Sequence, residues 1–441
     1  MASSPLDSYP TRSDVAANPL LLDQLLAPAN ALLDGYIRDV RTEGVITDPD
    51  FVRLGILRIL SQAVSGRDFL QQCAETFGEP LGRSTFFDAL HSARRQALLS
   101  ELNALLVART DVRRGDPRED LLCAFANLRD RAIYAVDGHQ LEHACHAARD
   151  RKGSFVPGNT LYLLCLHSAL LVNLGAVQGD GQYSHELPVF RRRVVDWLQK
   201  QGKTQGSSRP IFVGDPAFVD KQFWLQMTIW EQRGALVITR TKANMDPIIY
   251  SNLPWDPQAS INQGIEADER VGFDGGGLMR RIRYTDPETG TTYEFLTTVR
   301  DLEPGLIALL YLLRWRIEKV FDTGKNKLQE TKGWATGVVA REIQAHFFAL
   351  AHNLLTLLRR ELDRSHGIRE LKVEKKRQSS MERRTQSARN ADRSIHPVQW
   401  KLPAIVQLTA QFIRTLRNGI WSKTRWLKVL PHFQASLSAY L

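Results

Sequence analysis

Cysteine is scarce in this chain: only Cys73, Cys123, Cys145 and Cys165 among 441 residues. They are widely spaced and form no CxxC pair. That argues against a disulfide scaffold or a zinc ribbon and fits a reducing cytoplasm. Long apolar runs are missing too. The most apolar stretch, 161–177, contains His167, Ser168 and Asn173. It is shorter than the ~20 apolar residues that a membrane-spanning helix needs. The first eight residues, MASSPLDS, hold no basic segment and lead into no apolar one, so no secretory leader is expected. No repeat with a period of about 20–50 residues is visible. Acids are outnumbered, with 58 Lys+Arg against 48 Asp+Glu and a formal net charge of +10. The excess points to a polyanionic partner, nucleic acid or an anionic membrane surface, without choosing between them.

What is present organises the chain. Apolar residues make up 43%, enough for a sizeable core, and the length suits two to four domains at roughly 150 residues each. Residues 1–125 read as helical, with apolar residues at helical spacing in 37–44, 51–63 and 93–107. Within them, 66–78 and 82–90 read as two short helices joined by a glycine-containing turn. That arrangement suits a helix-turn-helix contacting DNA and a plain helical hairpin equally well. Short β-rich runs follow at 131–137, 161–166, 170–177, 210–215 and 235–239, alternating with helical stretches at 187–199 and 218–233. The alternation predicts an α/β layer with helices over a sheet. Residues 246–300 are rich in proline and glycine, with strand-like runs at 280–284 and 291–299, and read as a β-rich insertion. A strong helix begins near Pro304. Residues 364–395 hold ten Lys/Arg and four acids and few apolar side chains. They read as a flexible basic linker or a phosphate-contacting arm. Residues 396–441 regain helical spacing and contain Trp400, Trp421 and Trp426, as a small packed unit would.

Two acids close predicted strands: Asp137 after Ile-Tyr-Ala-Val and Asp215 after Ile-Phe-Val-Gly. Functional groups gather at the carboxyl ends of strands in open α/β sheets, although a turn or helix cap explains a single such Asp as well. The sharper pattern lies in the helix after the insertion. Tyr311, Arg314, Glu318 and Lys325 stand at offsets 0, 3, 7 and 14. At about 100° per residue these form one polar stripe down an otherwise apolar helix.

The spacing Tyr-x2-Arg-x3-Glu-x6-Lys resembles the YREK signature of the bacterial insertion-sequence transposases of the group numbered four. Asp137-Gly138 is similar to that group's first acidic motif, and Asp215-Pro-Ala-Phe218 to its second. The β insertion lies between the second Asp and the Glu, where the group carries one. The likeness covers roughly residues 126–360. It implies a DDE transposase with a ribonuclease H-like catalytic core, in two parts at 126–245 and 301–362, interrupted by the insertion at 246–300. A helical DNA-binding region at 1–125, a basic linker or arm at 363–395 and a helical C-terminal region at 396–441 complete the expectation.

The resemblance also implies roles. Asp137, Asp215 and Glu318 would be the catalytic carboxylates and would hold Mg²⁺, or Mn²⁺ in its place. Hard ions of this kind take oxygen ligands. Tyr311, Arg314 and Lys325 would contact DNA, and Arg316, Lys319 and Lys327 are expected as ordinary surface charge. Asp220 is the alternative to Asp215, and Asp322 a supporting or surface acid. His139 is expected as a strand-edge histidine with no metal role. Ser184-His185-Glu186 is also similar to the family; His185 and Glu186 would begin the following helix or make a supporting contact to the site. The partners would be double-stranded DNA, as terminal inverted repeats and target, and a second copy of the chain. The setting would be a bacterial cytoplasm, at the nucleoid. Two other readings remain open: a ribonuclease H-like nuclease without strand transfer, and a DNA-binding regulator with a degenerate triad. Some relatives capture a flipped base with an insertion tryptophan; none lies between Trp255 and Trp315 here.

Overall fold

A computed structural model of the chain describes residues 18–35, 46–63, 65–78, 82–110, 121–141, 158–177, 186–201, 209–229, 234–242, 244–273, 277–335, 337–369, 371–396 and 408–438. The helix expected at 37–44 lies outside the described residues, as do His185, Cys145 and Trp400.

The fold is mixed α/β. Among the described residues, nine strands form one sheet: β1 (Ile133–Leu141), β2 (Gly158–Cys165), β3 (Leu171–Val177), β4 (Ile211–Val213), β5 (Leu236–Arg240), β6 (Ile248–Asn252), β7 (Ile265–Gly272), β8 (Met279–Thr285) and β9 (Thr292–Thr297). Their order is β3-β2-β1-β4-β5-β9-β8-β7-β6. β1, β2 and β3 form an antiparallel meander, and β4 and β5 run parallel to β1. The β-rich stretch does not stand apart. Its strand β9 pairs antiparallel with β5, so β6–β9 extend the same sheet.

The short apolar runs make strands because alternate residues bury on opposite faces. Ile133, Ala135, Ile211, Val213 and Ile238 enter the large core. Tyr134, Val136 and Phe212 enter a second core beneath α7 (Glu186–Gln201), with Phe190 and Val194. The large core also takes in α1 (Leu21–Asp34), α2 (Asp48–Leu60), α3 (Gly66–Phe77), α4 (Arg83–Ala89) and α5 (Ala93–Arg109). After α6 (Ala126–Arg129) and α8 (Lys221–Ile229) come α9 (Pro304–Leu313), α10 (Trp315–Asp322) and α11 (Val338–His366). The helices α12 (Leu371–Asn390), α13 (Ala410–Trp421) and α14 (Trp426–Ser438) complete the described chain. No described helix is long and apolar enough to cross a membrane.

Residues 371–390, expected within a linker or arm, are helical. The segment has neither proline nor glycine and is dominated by Lys, Arg, Glu, Gln, Ser and Met, so backbone propensity suffices without an apolar face. Helix α11 organises the other side. Gly55 of α2 passes directly beneath the Phe347 ring, where any Cβ would collide with it. Asn353 completes the exposed rim of β3: its Oδ1 accepts from Leu171 N at 2.7 Å, and its Nδ2 donates to Leu171 O at 2.9 Å and to Asn103 Oδ1 at 2.7 Å. An open sheet edge is thereby closed by side chains of α5 and α11.

The β6–β9 part depends on ionic pairing. Arg280 donates to both oxygens of Asp268, at 2.7 and 2.5 Å, and to Leu302 O at 2.7 Å, with the pair almost wholly buried. Asp268→Ala would leave that guanidinium buried without its counter-charge, at a cost of about 3–5 kcal/mol. The expected outcome is a markedly lower unfolding midpoint in a thermal or denaturant melt. A buried histidine supplies a pH test. Burial first, and then the charge of Arg193, push the His346 imidazole down to about 4 from 6.5. The unfolded chain takes up this proton and the folded one resists it, so stability falls as pH drops from about 6.5 to about 4. In melts over that window, His346→Leu is expected to lose less stability than the parent.

Candidate active site

The sheet brings two acids side by side. In the parallel pair β1–β4, Ala135 stands opposite Val213. Asp137 and Asp215 each lie two residues beyond that pair; Asp137, still on β1, shares the Ala135 face, and Asp215, past the end of β4, acts on Asp137 through its charge. Adjacent strands are about 4.8 Å apart, which puts the two carboxyls in electrostatic reach. Asp137 does not end its strand as expected. β1 continues to Leu141 because β2 still pairs with it there; only its pairing with β4 stops. Asp215 does follow the end of β4. Its Oδ1 accepts from Ala217 N at 2.8 Å, capping a short 3₁₀ turn at Pro216–Phe218.

The same face is covered by α9 and α10, which contribute Leu310, Tyr311 and Ile317 to the large core. Arg314 joins these helices and spans two acids. Its Nη1 donates to Asp137 Oδ2 at 3.1 Å and its Nη2 to Glu318 Oε1 at 3.0 Å. The Arg314 side chain is 7% exposed, that of Asp137 17% and that of Glu318 34%. The cleft therefore opens on the Glu318 side. Arg314 also lies 5.7 Å from the Tyr311 ring centre, and that ring packs on Phe295 at 5.0 Å.

The electrostatics follow from this crowding. Burial pushes the Asp137 carboxyl up to about 7. The negative charges of Asp215 and Glu186 add to the rise, while Arg314 and the Gly138 N–H oppose it. Burial works against the Arg314 charge, but Asp137, Tyr311 and Glu318 outweigh it and hold the guanidinium above its ordinary value. Burial raises the Tyr311 phenol, with Asp215 assisting against Arg314 and Arg240. Asp137, Asp215, Tyr311, Arg314 and Glu318 thus form one interacting group.

Lys325 is placed differently. The polar stripe is not one α-helical line, because Thr323–Lys327 form a π-helical turn. Such turns shift the phase of every following residue. Lys325 is exposed there, and its charge is felt by His139, on the same strand and face as Asp137. His139 is buried and stacked against Phe321 at 4.7 Å and Phe348 at 5.4 Å.

Several neighbours are settled by their contacts. Asp220 forms an ion pair with Arg191 and accepts from Phe223 N at 3.1 Å, as a helix cap. Asp322 is exposed and accepts from Asn326 Nδ2 at 2.6 Å. Arg316 is not surface charge. It is buried and donates to Leu166 O at 2.9 Å, because its position on α10 faces the sheet. Lys327 is also drawn inward, donating to Leu408 O at 2.9 Å; Lys319 is exposed.

Glu186 is the group that spacing underrated. It begins α7 and accepts from Asn159 Nδ2 at 2.8 Å. A Cβ at position 138 would fall 1.8 Å from its Oε1, so Gly138 is what admits this carboxylate beside Asp137. Its signals in the sequence were Gly138, next to the first acid, and the likeness of Ser184-His185-Glu186 to the family.

The donor set suits a hard divalent ion, being all carboxylate oxygen. As arranged, the Arg314 guanidinium lies between Asp137 and Glu318 and offsets part of their charge. Among the described residues, no three His, Cys, Asp or Glu side chains are close enough together to share an ion.

Comparisons with known proteins complete the picture. No curated protein matches the sequence. A cryo-EM structure of a piggyBac transposase synaptic complex with hairpin DNA is similar over 92% of this chain and 82% of that one, at 11% identity and a TM-score of 0.36. The transposase DDE domain family matches residues 130–354, which span β1 to the middle of α11 and so contain Asp137, Asp215, Arg314 and Glu318. The chain belongs to this family and is a DDE transposase.

Proposed function

We propose that this transposase cuts DNA at the ends of an insertion sequence and joins those ends to target DNA. The carrying observation is the site's geometry: Asp137 and Asp215 follow one paired stretch of β1 and β4 and interact electrostatically, with Arg314 tying Asp137 to Glu318. On this reading the β1–β5 unit, a meander followed by parallel strands, is a ribonuclease H-like core, and β6–β9 are its insertion. The YREK spacing supports membership of the insertion-sequence group numbered four, and so a bacterial, nucleoid-associated enzyme. Holding two element ends together calls for a dimer in the DNA complex.

Asp137, Asp215 and Glu318 would hold Mg²⁺, or Mn²⁺ in its place. These ions supply an activated water and charge stabilisation at the attacking and leaving oxygens. The protein's own groups do the positioning. Arg314 has a planar fork that fits a phosphate as well as a carboxylate. It would pass from Asp137 and Glu318 to the DNA backbone when the acids have other partners. Tyr311, held against Phe295, would direct its O–H to a phosphate oxygen near the cleaved bond. Lys325 offers an exposed point charge to the backbone beyond.

Glu318→Gln keeps the side-chain shape and removes the charge. Cleavage of terminal-repeat DNA in Mg²⁺ is expected to fall by at least about 100-fold, the scale of several kcal/mol of charge stabilisation. Cleavage at the parental rate would overturn the assignment. Supplying pre-cut ends and a target plasmid tests the joining step, and joined product is expected only from the enzyme with its carboxylates intact. His139 serves as the contrasting residue. His139→Phe preserves the ring stack and deletes a buried polar ring, so cleavage is expected to stay within about tenfold of the parent and the melting midpoint to hold. A larger loss would place His139 in the chemistry.

A further inference from the structure

Helix α12 carries an unused surface. Its residues Lys376, Ser379, Arg383, Gln386 and Asn390 stand at offsets 0, 3, 7, 10 and 14, and all are exposed. At about 100° per residue and about 1.5 Å rise, they form one line roughly 21 Å long. Every member carries a hydrogen-bond donor and none is an acid. Glu382 borders the line, one turn from both Ser379 and Gln386. The opposite side, with Met381, Thr385 and Ala388, is the more buried one.

The helix is held in place rather than trailing. Arg384 donates to Glu288 Oε2 at 2.6 Å, and Arg393 to Thr289 O at 2.9 Å, both in the turn between β8 and β9. Gln263 Nε2 donates to Ser394 Oγ at 2.8 Å, and α12 packs on α14. The segment after α12 also reaches back toward the carboxylates. His396 meets Tyr284 at 6.4 Å, Tyr284 meets Phe295 at 6.4 Å, and Phe295 meets Tyr311 at 5.0 Å. The anchored end of α12 is thus three ring contacts from the candidate active site.

We propose that the Lys376–Arg383 line of α12 is a second DNA-binding surface, which grips the phosphate backbone of the duplex whose end lies in the active site. The proposal rests on the transposase reading of that site. A row of donors without an apolar member suits phosphate oxygens and leaves nothing to enter a lipid interface. A helix that presents charges at fixed spacing loses little freedom on binding, because its docking is already made. Lys376 and Arg383 supply point and forked charge, and Ser379, Gln386 and Asn390 supply neutral donors between and beyond them. Such contacts hold register and orientation and carry no base sequence.

The test is the salt dependence of binding to duplex DNA by the full-length protein. Lys376→Gln/Arg383→Gln is compared with the parent on a terminal-repeat duplex and on a scrambled duplex, by fluorescence anisotropy between 50 and 300 mM KCl. Losing two phosphate contacts should flatten the slope of log K against log salt by about 1.8, equally on both duplexes. Both side chains are exposed, so the melting midpoint should hold. Glu382→Gln, which removes no phosphate contact, should leave the slope unchanged. An unchanged slope in the double variant with cleavage retained would overturn this surface alone. A loss confined to the terminal-repeat duplex would also overturn it, since that would mean base reading. Competition by poly-glutamate equal to that by DNA would point to an acidic protein instead and would count against it. A flattened slope in a protein that never cleaves would support this surface and defeat the reading of the carboxylate site.

Discussion

The arrangement turns on a charge problem. Asp137 lies against Arg314, which also holds Glu318, with the charge of Asp215 acting on Asp137 and Glu186 close behind Gly138. Carboxylates so placed repel one another and lose hydration, which the rise of Asp137 to about 7 records. One guanidinium, Arg314, offsets much of this by bridging Asp137 and Glu318. Its charge is held by the same acids it neutralises. One guanidinium against these acids leaves the site acidic, and a divalent ion or a phosphate must compete for the paired groups Asp137, Glu318 and Arg314. A buried pair of this kind adds little net stability but is costly to break from one side.

The sheet and the long helix α11 set that balance in space. Parallel pairing of β1 and β4 aligns the two aspartates, and the packing of α9 and α10 on the same face sets the height of Arg314 and Glu318. Helix α11 closes the β3 edge through Asn353 and carries the N-terminal helices on its other side. Those helices share the large core with the sheet, so the framework behind the site is continuous from α1 to α14. The β6–β9 strands join through β9, and their buried ion pairs hold the turn on which α12 is docked.

Much of the architecture was legible in order. The apolar runs at 161–166, 170–177, 210–215 and 235–239 lie on strands β2 to β5, because a strand buried on both faces must be nearly all apolar. Strands β6 and β7 were not, since Ile248–Asn252 is wholly exposed and Ile265–Gly272 carries acids and arginines paired across strands. The basic stretch was legible as charge but not as helix α12, whose polar surface leaves no hydrophobic period to read. Arg316 and Lys327 looked like surface residues because residue type suggests exposure, whereas helix phase faces them toward backbone carbonyls.

Local pattern sufficed for the residue spacing of Tyr311, Arg314, Glu318 and Lys325, for the strand runs that precede Asp137 and Asp215, and for the excess of basic charge. These are properties of neighbours along the chain, and periodicity reports them. Contacts between distant segments were settled in the folded chain. The register of β1 on β4 puts Asp137 beside Asp215, the bridge from Arg314 ties residues 177 positions apart, and the bare Cα of Gly138 admits Glu186. None has a local signature, because each depends on where two remote backbones happen to meet. The π-helical turn at Thr323–Lys327, where Gly324 lies beneath the Phe348 ring, shows the same limit within one helix: the α-helical period does not carry through to Lys325.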